Sequence, residues 1–192
     1  MMIKLNMAAF VCLISFITAC GGLKMTNDIN GDFENNFDDD EHPDGWTANQ
    51  FGRKYALLSI DNSISYSGDR SISIEIYKTH GSGNTIYNWI RSSGGIKNGI
   101  YELTGWIRTR ATVRSPYIEV QFWNNIENRI ITSVTTRKMF SIVGNTEWRR
   151  VNAIFRIPPG TTKVLIRAAV DSRDNQGCKV WFDDIRLEKI SS

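Results

Sequence analysis

Ile72, Ile74 and Ile76 alternate with Ser71, Ser73, Glu75 and Tyr77, and the same two-residue period returns twice further along the chain. Ile118, Val120 and Phe122 are set against Tyr117, Glu119, Gln121 and Trp123; Val164, Ile166, Ala168 and Val170 are set against Leu165, Arg167 and Ala169. Successive side chains of a strand point to opposite faces, so this pattern predicts half-buried β-strands. Further strands are expected at residues 55–60, 85–91, 100–110, 129–136, 148–157 and 179–188. Turn-forming groups separate them, among them Ser67-Gly68-Asp69, Asn98-Gly99, Gly144-Asn145 and Pro158-Pro159-Gly160. Beyond the N-terminal segment no stretch of twelve residues carries an apolar stripe of helical period. Many short strands, each with one face to bury, predict an all-β fold, an antiparallel β-sandwich, over residues 29–190.

The N-terminal segment has a different character. One Lys at position 4 precedes an apolar run from Met7 to Phe16, then Ile17-Thr18-Ala19-Cys20-Gly21-Gly22. This is the anatomy of a signal peptide over residues 1–19, and the run is too short for a helix to span a bilayer core of about 30 Å. Ala19-Cys20 resembles the lipobox of bacterial lipoproteins. The resemblance implies that the leader is removed, that Cys20 becomes the lipidated first residue, and that residues 20–28 tether the domain to a membrane. Gly21 in place of Asp tilts the expected location in the bacterial cell envelope toward the outer membrane. The alternative is an ordinary secreted protein cut at a small residue. Of the three cysteines, Cys12 leaves with the leader and Cys20 takes lipid, so Cys178 remains as a small structural residue with no disulfide partner.

The formal net charge of +3 hides an asymmetry. Eight acids lie between Asp28 and Asp44 with no Lys or Arg among them, which leaves twelve acids against twenty-one bases from Arg53 onward, about +9. The bases are scattered through strands and form no run, so nucleic acid is not the expected partner. The Asp38-Asp39-Asp40-Glu41 tetrad reads as a solvated stretch. With only two His in the chain, little material exists for His-ligated metal or His-dependent acid–base chemistry.

Five sequence islands arrive in a fixed order. They are Asn30-Gly31-Asp32-Phe33-Glu34 with Pro43-Asp44-Gly45-Trp46; Ser67-Gly68-Asp69-Arg70-Ser71-Ile72-Ser73-Ile74; Gly99-Ile100-Tyr101-Glu102-Leu103-Thr104-Gly105-Trp106-Ile107-Arg108; Thr146-Glu147-Trp148-Arg149-Arg150-Val151; and Val180-Trp181-Phe182-Asp183-Asp184-Ile185-Arg186-Leu187. This set resembles the galactose-binding-like jelly rolls of the carbohydrate-binding modules, in particular the group around families 4, 9 and 22. The resemblance implies a jelly-roll sandwich and glycan binding on a sheet face or at loop tips. It also implies a structural Ca²⁺ held by Glu34 and Asp183, with carbonyl oxygen from around Asp69 or Arg70 and a further contribution from Asp32 or Asp184. The competing reading is that these carboxylates accept hydrogen bonds from loop amides. Phe33, Tyr101, Trp148 and Trp181 read as packing residues.

The side of the 117–123 strand opposite its apolar set carries Tyr117, Glu119, Gln121 and Trp123. Two aromatic rings bracketing two bidentate polar groups fit a sugar, whose C–H face stacks on a ring while its hydroxyls are held by Glu and Gln. If the 100–110 strand is a neighbour, Trp106 and Arg108 join the same patch. Trp89 shares its strand's face with Tyr87 and Arg91, and Arg167 projects opposite an apolar set, where it can fork to vicinal hydroxyls. The alternative is that Trp89, Trp106 and Trp123 pack under loops, in an envelope scaffold that binds no sugar. A polysaccharide lyase would need Tyr117 as its base, with Gln121 and Arg108 neutralising a uronate; no hydrolase elbow, zinc signature or phosphate loop is present. The expectation is therefore a monomeric, lipid-anchored protein that holds poly- or oligosaccharide without cleaving it.

Overall fold

The computed structural model describes residues 29–38, 40–49, 52–80, 84–94 and 96–192. The signal peptide, the lipidation site Cys20 and the tether lie outside the described residues. Among the described residues there are ten strands and no α-helix. The strands are β1 (Trp46–Asn49), β2 (Ala56–Asp61), β3 (Ser71–Ile76), β4 (Ile86–Gly94), β5 (Ile100–Thr112), β6 (Tyr117–Asn124), β7 (Arg129–Thr135), β8 (Gly144–Arg156), β9 (Lys163–Asp171) and β10 (Lys179–Ser191). They form two antiparallel five-stranded sheets, ordered β1-β4-β9-β6-β7 and β2-β3-β10-β5-β8. Apart from β1, each strand falls where the alternation predicts one.

The period-two pattern explains how the sheets face one another. Ile72, Ile74 and Ile76 of β3, Val180 and Phe182 of β10, and Leu103 and Ile107 of β5 point inward from one sheet. Ile118, Val120 and Phe122 of β6, with Val164, Ile166, Ala168 and Val170 of β9, meet them from the other. Burying one such side chain contributes about 1.5–3 kcal/mol, which makes this shared layer the main source of stability. Cys178 is buried and unpaired, and desolvation pushes its thiol up to about 12, so it stays protonated.

The first island acts as a plug at the sandwich edge. The Asn30 side chain donates to the carbonyls of Asn35 and Asp44 and accepts from the Asn35 amide, joining the two halves of the motif. Trp46 donates its indole N–H to the carbonyls of Ile29 and Asn30 and meets the fully buried Phe33 ring edge-on at 5.2 Å. Gly31 lies against β10, where the Ile185 amide donates to its carbonyl at 2.8 Å. A Cβ at position 31 would stand 1.8 Å from the Ile185 carbonyl oxygen, a backbone atom with nowhere to go. Gly31→Ala should therefore cost about 2–3 kcal/mol. Urea denaturation should show a lower midpoint with the slope unchanged; an unchanged midpoint would mean that the plug can shift away from β10.

Three assignments made from the strand pattern need correction. Tyr87 and Trp89 are wholly buried and point into the core, the Trp89 indole donating to the Ser73 carbonyl at 3.1 Å across the sandwich. Trp89 is thus removed from the proposed binding face. Trp106 and Arg108 are on β5, which pairs with β10 and β8 and never with β6, so they lie on the outer face of the opposite sheet. Trp148 sits half-buried beside Tyr66 and outside the core, whereas Trp181 is buried as a packing residue, 4% exposed, but beneath Arg108 and Lys179 on the outer face.

Candidate functional site

The outer face of the β1-β4-β9-β6-β7 sheet is organised in rows by strand register. One row runs Thr135, Glu119, Arg167, Ile90, Thr47; the next runs Ser133, Gln121, Leu165, Ser92. Along β6, Tyr117 and Trp123 stand six residues apart, about 20 Å in an extended strand.

The polar groups between them form one continuous hydrogen-bonded array. Arg167 donates through Nη1 to Glu119 Oε2 at 2.8 Å and through Nε to Asn88 Oδ1 at 3.0 Å. Gln121 donates to the same Glu119 oxygen at 3.2 Å, and the Trp123 indole N–H donates to Gln121 Oε1 at 3.3 Å. The Arg167 and Glu119 side chains are only 15% and 13% exposed. A pair so enclosed is held in place by its partners. Trp123 remains half-buried, with part of its surface open to solvent.

At the other end of β6 the structure adds groups that the strand pattern does not reveal. Arg137, in the short 3-10 turn after β7, lies 3.9 Å from the Tyr117 ring centroid, with Nη1 at 2.6 Å from the buried Asp171. Burial, assisted by the Asp171 charge, pushes the Tyr117 hydroxyl up to about 12. That shift makes the phenolate costlier to form, which disfavours Tyr117 as a proton-abstracting base. Asn88 was hidden because both faces of β4 are apolar around it; Arg137 was hidden because nothing in a loop sequence reports the ring it will cover.

Glu119, Gln121, Trp123 and Arg167 therefore come together, whereas Tyr117 is buried beneath Arg137 at the far end of β6 and Trp89, Trp106 and Arg108 lie elsewhere. Two cations of this face are matched, Arg167 by Glu119 and Arg137 by Asp171, while Lys163 stands beside Trp123 in the strand register.

Three of the carboxylates expected at a Ca²⁺ site have partners of their own. Glu34 accepts from the Asp69 and Arg70 amides at 2.8 and 3.0 Å. Asp183, fully buried, accepts from the amides of Tyr66, Ser67 and Asp184, and Asp184 pairs with Arg186 at 2.7 Å. Among the described residues no three His, Cys, Asp or Glu side chains converge as a metal-holding group. Ca²⁺ takes six to eight oxygens, and the arrangement of Glu34, Asp69, Asp183 and Asp184 does not fit it. What these acids do is pin the loop between β2 and β3.

Burial pushes the Asp183 carboxyl up to about 6, with the three amide hydrogen bonds pulling partway back. Its value in the unfolded chain is near 3.8. Between these two values the folded protein holds a proton that the unfolded chain has released, so stability falls as pH rises through that window. Chemical denaturation across it should show this decline, and Asp183→Asn should flatten it. An equal decline in the variant would assign the effect elsewhere.

No family model matches the chain. Among curated proteins it is similar to tRNA nuclease WapA of Bacillus subtilis strain 168, at 24% identity over 151 residues. That stretch is 76% of this chain, which spans about 6% of the length of WapA. Among solved structures, the enzymatically active domain of tailspike protein 4 of bacteriophage CBA120 aligns with a TM-score of 0.58 and 18% identity, covering 78% of this chain and 20% of that one. The CBM22-1–GH10 modules of Clostridium thermocellum xylanase 10B, complexed with xylohexaose, align at 0.57 and 17%, covering 83% and 28%. TmCBM61 in complex with β-1,4-galactotriose aligns at 0.52 and 17%, covering 83% of this chain and 95% of that one. The protein has the galactose-binding-like jelly-roll fold of these carbohydrate-binding modules.

Proposed function

We propose that the outer face of the β1-β4-β9-β6-β7 sheet binds poly- or oligosaccharide without cleaving it. The observation that carries this reading is the array from Trp123 through Gln121, Glu119 and Arg167 to Asn88, set in place before any ligand arrives. A sugar ring offers a flat C–H surface and fixed hydroxyls; a partly exposed indole beside a pre-oriented carboxylate, amide and guanidinium supplies the complement. The protonated Tyr117 supports binding over lyase chemistry. The fold shared with modules solved in complex with xylohexaose and galactotriose supports the ligand class. In this reading acyl chains on Cys20 hold the domain at the outer membrane as a single copy. Each buried CH₂ contributes about 0.8 kcal/mol, so dual acylation anchors stably.

The test is a glycan-array screen of the domain followed by calorimetry on the hits. Trp123→Ala should weaken binding at least about tenfold, the scale of a central aromatic anchor. Trp106→Ala, on the opposite sheet, should leave it unchanged. Equal affinity of the Trp123 variant and the parent protein would remove this site.

A further inference from the structure

The opposite sheet carries a second constellation that the glycan face does not use. Two register shifts interrupt the β5–β8 pairing, one between Ile107 and Thr109 and one between Thr109 and Thr112. Side chains replace the missing ladder bonds. The Ala111 amide donates to Asn145 Oδ1 at 2.7 Å, and the hydroxyls of Thr109 and Thr112 donate to the Gly144 carbonyl at 3.0 and 3.2 Å. Ala111 is held at φ 55°, in the left-handed region that a residue with a Cβ rarely enters. Bulges and strained residues of this kind recur beside binding sites. Here they border a cavity of about 370 Å³ on the outer face of the β2-β3-β10-β5-β8 sheet. That volume is in the range of small-ligand sites.

Arg108, Arg110, Asn145, Thr146, Glu147 and Trp181 line the cavity. The two arginines are two positions apart on β5, so both project from one face about 7 Å apart. Their counter-ions differ in how firmly they are held. Beside the cavity, Lys179 is locked to Asp61 at 3.0 Å, and that carboxylate, only 10% exposed, also takes the Trp181 indole N–H at 2.8 Å. Arg110 reaches Glu75 at 3.1 Å. Among the described residues the counter-ion of Arg108 is Glu147, at 3.3 Å, whose side chain is 82% exposed. An ion pair that open to solvent holds its partners weakly. The charge of Arg108 is therefore available to any carboxylate that enters and brings further contacts. Asn145 has spent its oxygen on Ala111 and keeps its NH₂ as a donor; the Thr146 hydroxyl donates to Thr109 Oγ1 at 2.9 Å and keeps its oxygen as an acceptor.

We propose that this cavity binds a small carboxylate bearing vicinal hydroxyls, a uronic-acid unit. The ligand's carboxylate displaces Glu147 from Arg108 and approaches Arg110, and its hydroxyls meet Asn145 and Thr146. Binding here is independent of the glycan face, which lies on the other sheet.

Titration with D-glucuronate and with trigalacturonate, followed by amide chemical shifts and calorimetry, tests this. Saturable binding is expected, weakening as salt rises. Arg108→Gln should weaken it at least about tenfold; Arg110→Gln, a second surface variant, should weaken it less. Glu147→Gln should strengthen it a few-fold by removing the competing carboxylate, and Trp123→Ala should leave it unchanged. Absence of binding at millimolar ligand overturns the proposal. Binding indifferent to both arginine variants overturns it too, and so does binding abolished by Trp123→Ala, which would move the acid to the other sheet. Circular dichroism of each variant excludes misfolding as the cause. Loss of neutral-glycan binding alone bears on the other face only.

Discussion

Trp89→Ala should destabilise the protein by about 3–5 kcal/mol, the usual cost of emptying a large aromatic site in a core. Trp89 is wholly inaccessible, and its indole N–H is the partner of the Ser73 carbonyl across the sandwich. The substitution removes packing from both sheets and the hydrogen bond that links them. For a domain of this size the melting temperature should fall by about 10 °C or more. Thermal and urea denaturation measure it directly. Had this residue belonged to the binding face, the same change would cost little stability and much affinity. A loss below about 1 kcal/mol, with sugar binding abolished, would reverse the orientation of β4.

The second large effect comes from Arg167. Replacing it with Ala strands Glu119 as an enclosed carboxylate and deprives Asn88 of its donor. Removing one member of a buried ion pair costs about 3–5 kcal/mol, reduced here to about 2–4 by the residual solvent contact of both groups. The double replacement Arg167→Met with Glu119→Met should recover the part of that loss due to the stranded carboxylate, while the buried Asn88 oxygen still lacks its donor. It should not recover glycan binding. A double-mutant cycle read once by denaturation and once by calorimetry separates the two roles. A doubly substituted protein that still binds sugar like the parent would show that the polar array is structural and that recognition happens elsewhere.

These two residues also show where strand patterns inform and where they mislead. In β3, β6 and β9 one face is apolar and the other mixed, so alternation identifies the strand and its inward side together. β4 has Tyr87 and Trp89 on one side and Ile86 and Ile90 on the other. With apolar groups on both faces, the period reveals a strand without saying which way it faces. The aromatic residues that suggested a ligand site were the larger and took the core. Trp106 failed differently. β5 and β6 follow each other in the chain, yet they belong to different sheets, and a short connection carries the chain across. Whether two rows share a face depends on pairings between residues far apart in sequence, which no local pattern contains.

The carboxylates of the first and last islands make the same point in polar chemistry. Their presence in a fixed order marks the fold, but an acid between two loops can hold an ion or accept amides, and only the distances decide. Glu34 and Asp183 accept from the amides of residues 66, 67, 69 and 70 and of Asp184, partners that no local pattern names. Arg137 over Tyr117 and Asn145 beneath Ala111 belong to the same class, because both act on groups brought near by folding.

Side-chain alternation, turn residues and the ordered islands were sufficient to determine an all-β, antiparallel two-layer domain and the polar row Tyr117, Glu119, Gln121, Trp123, because each of these is a property of neighbouring residues within one strand. The partners of that row, the transfer of Trp106 and Arg108 to the other sheet, and the burial of Trp89 were decided only by tertiary structure. They depend on which strands pair and which of two apolar faces wins the interior, and that competition is resolved by the whole core at once.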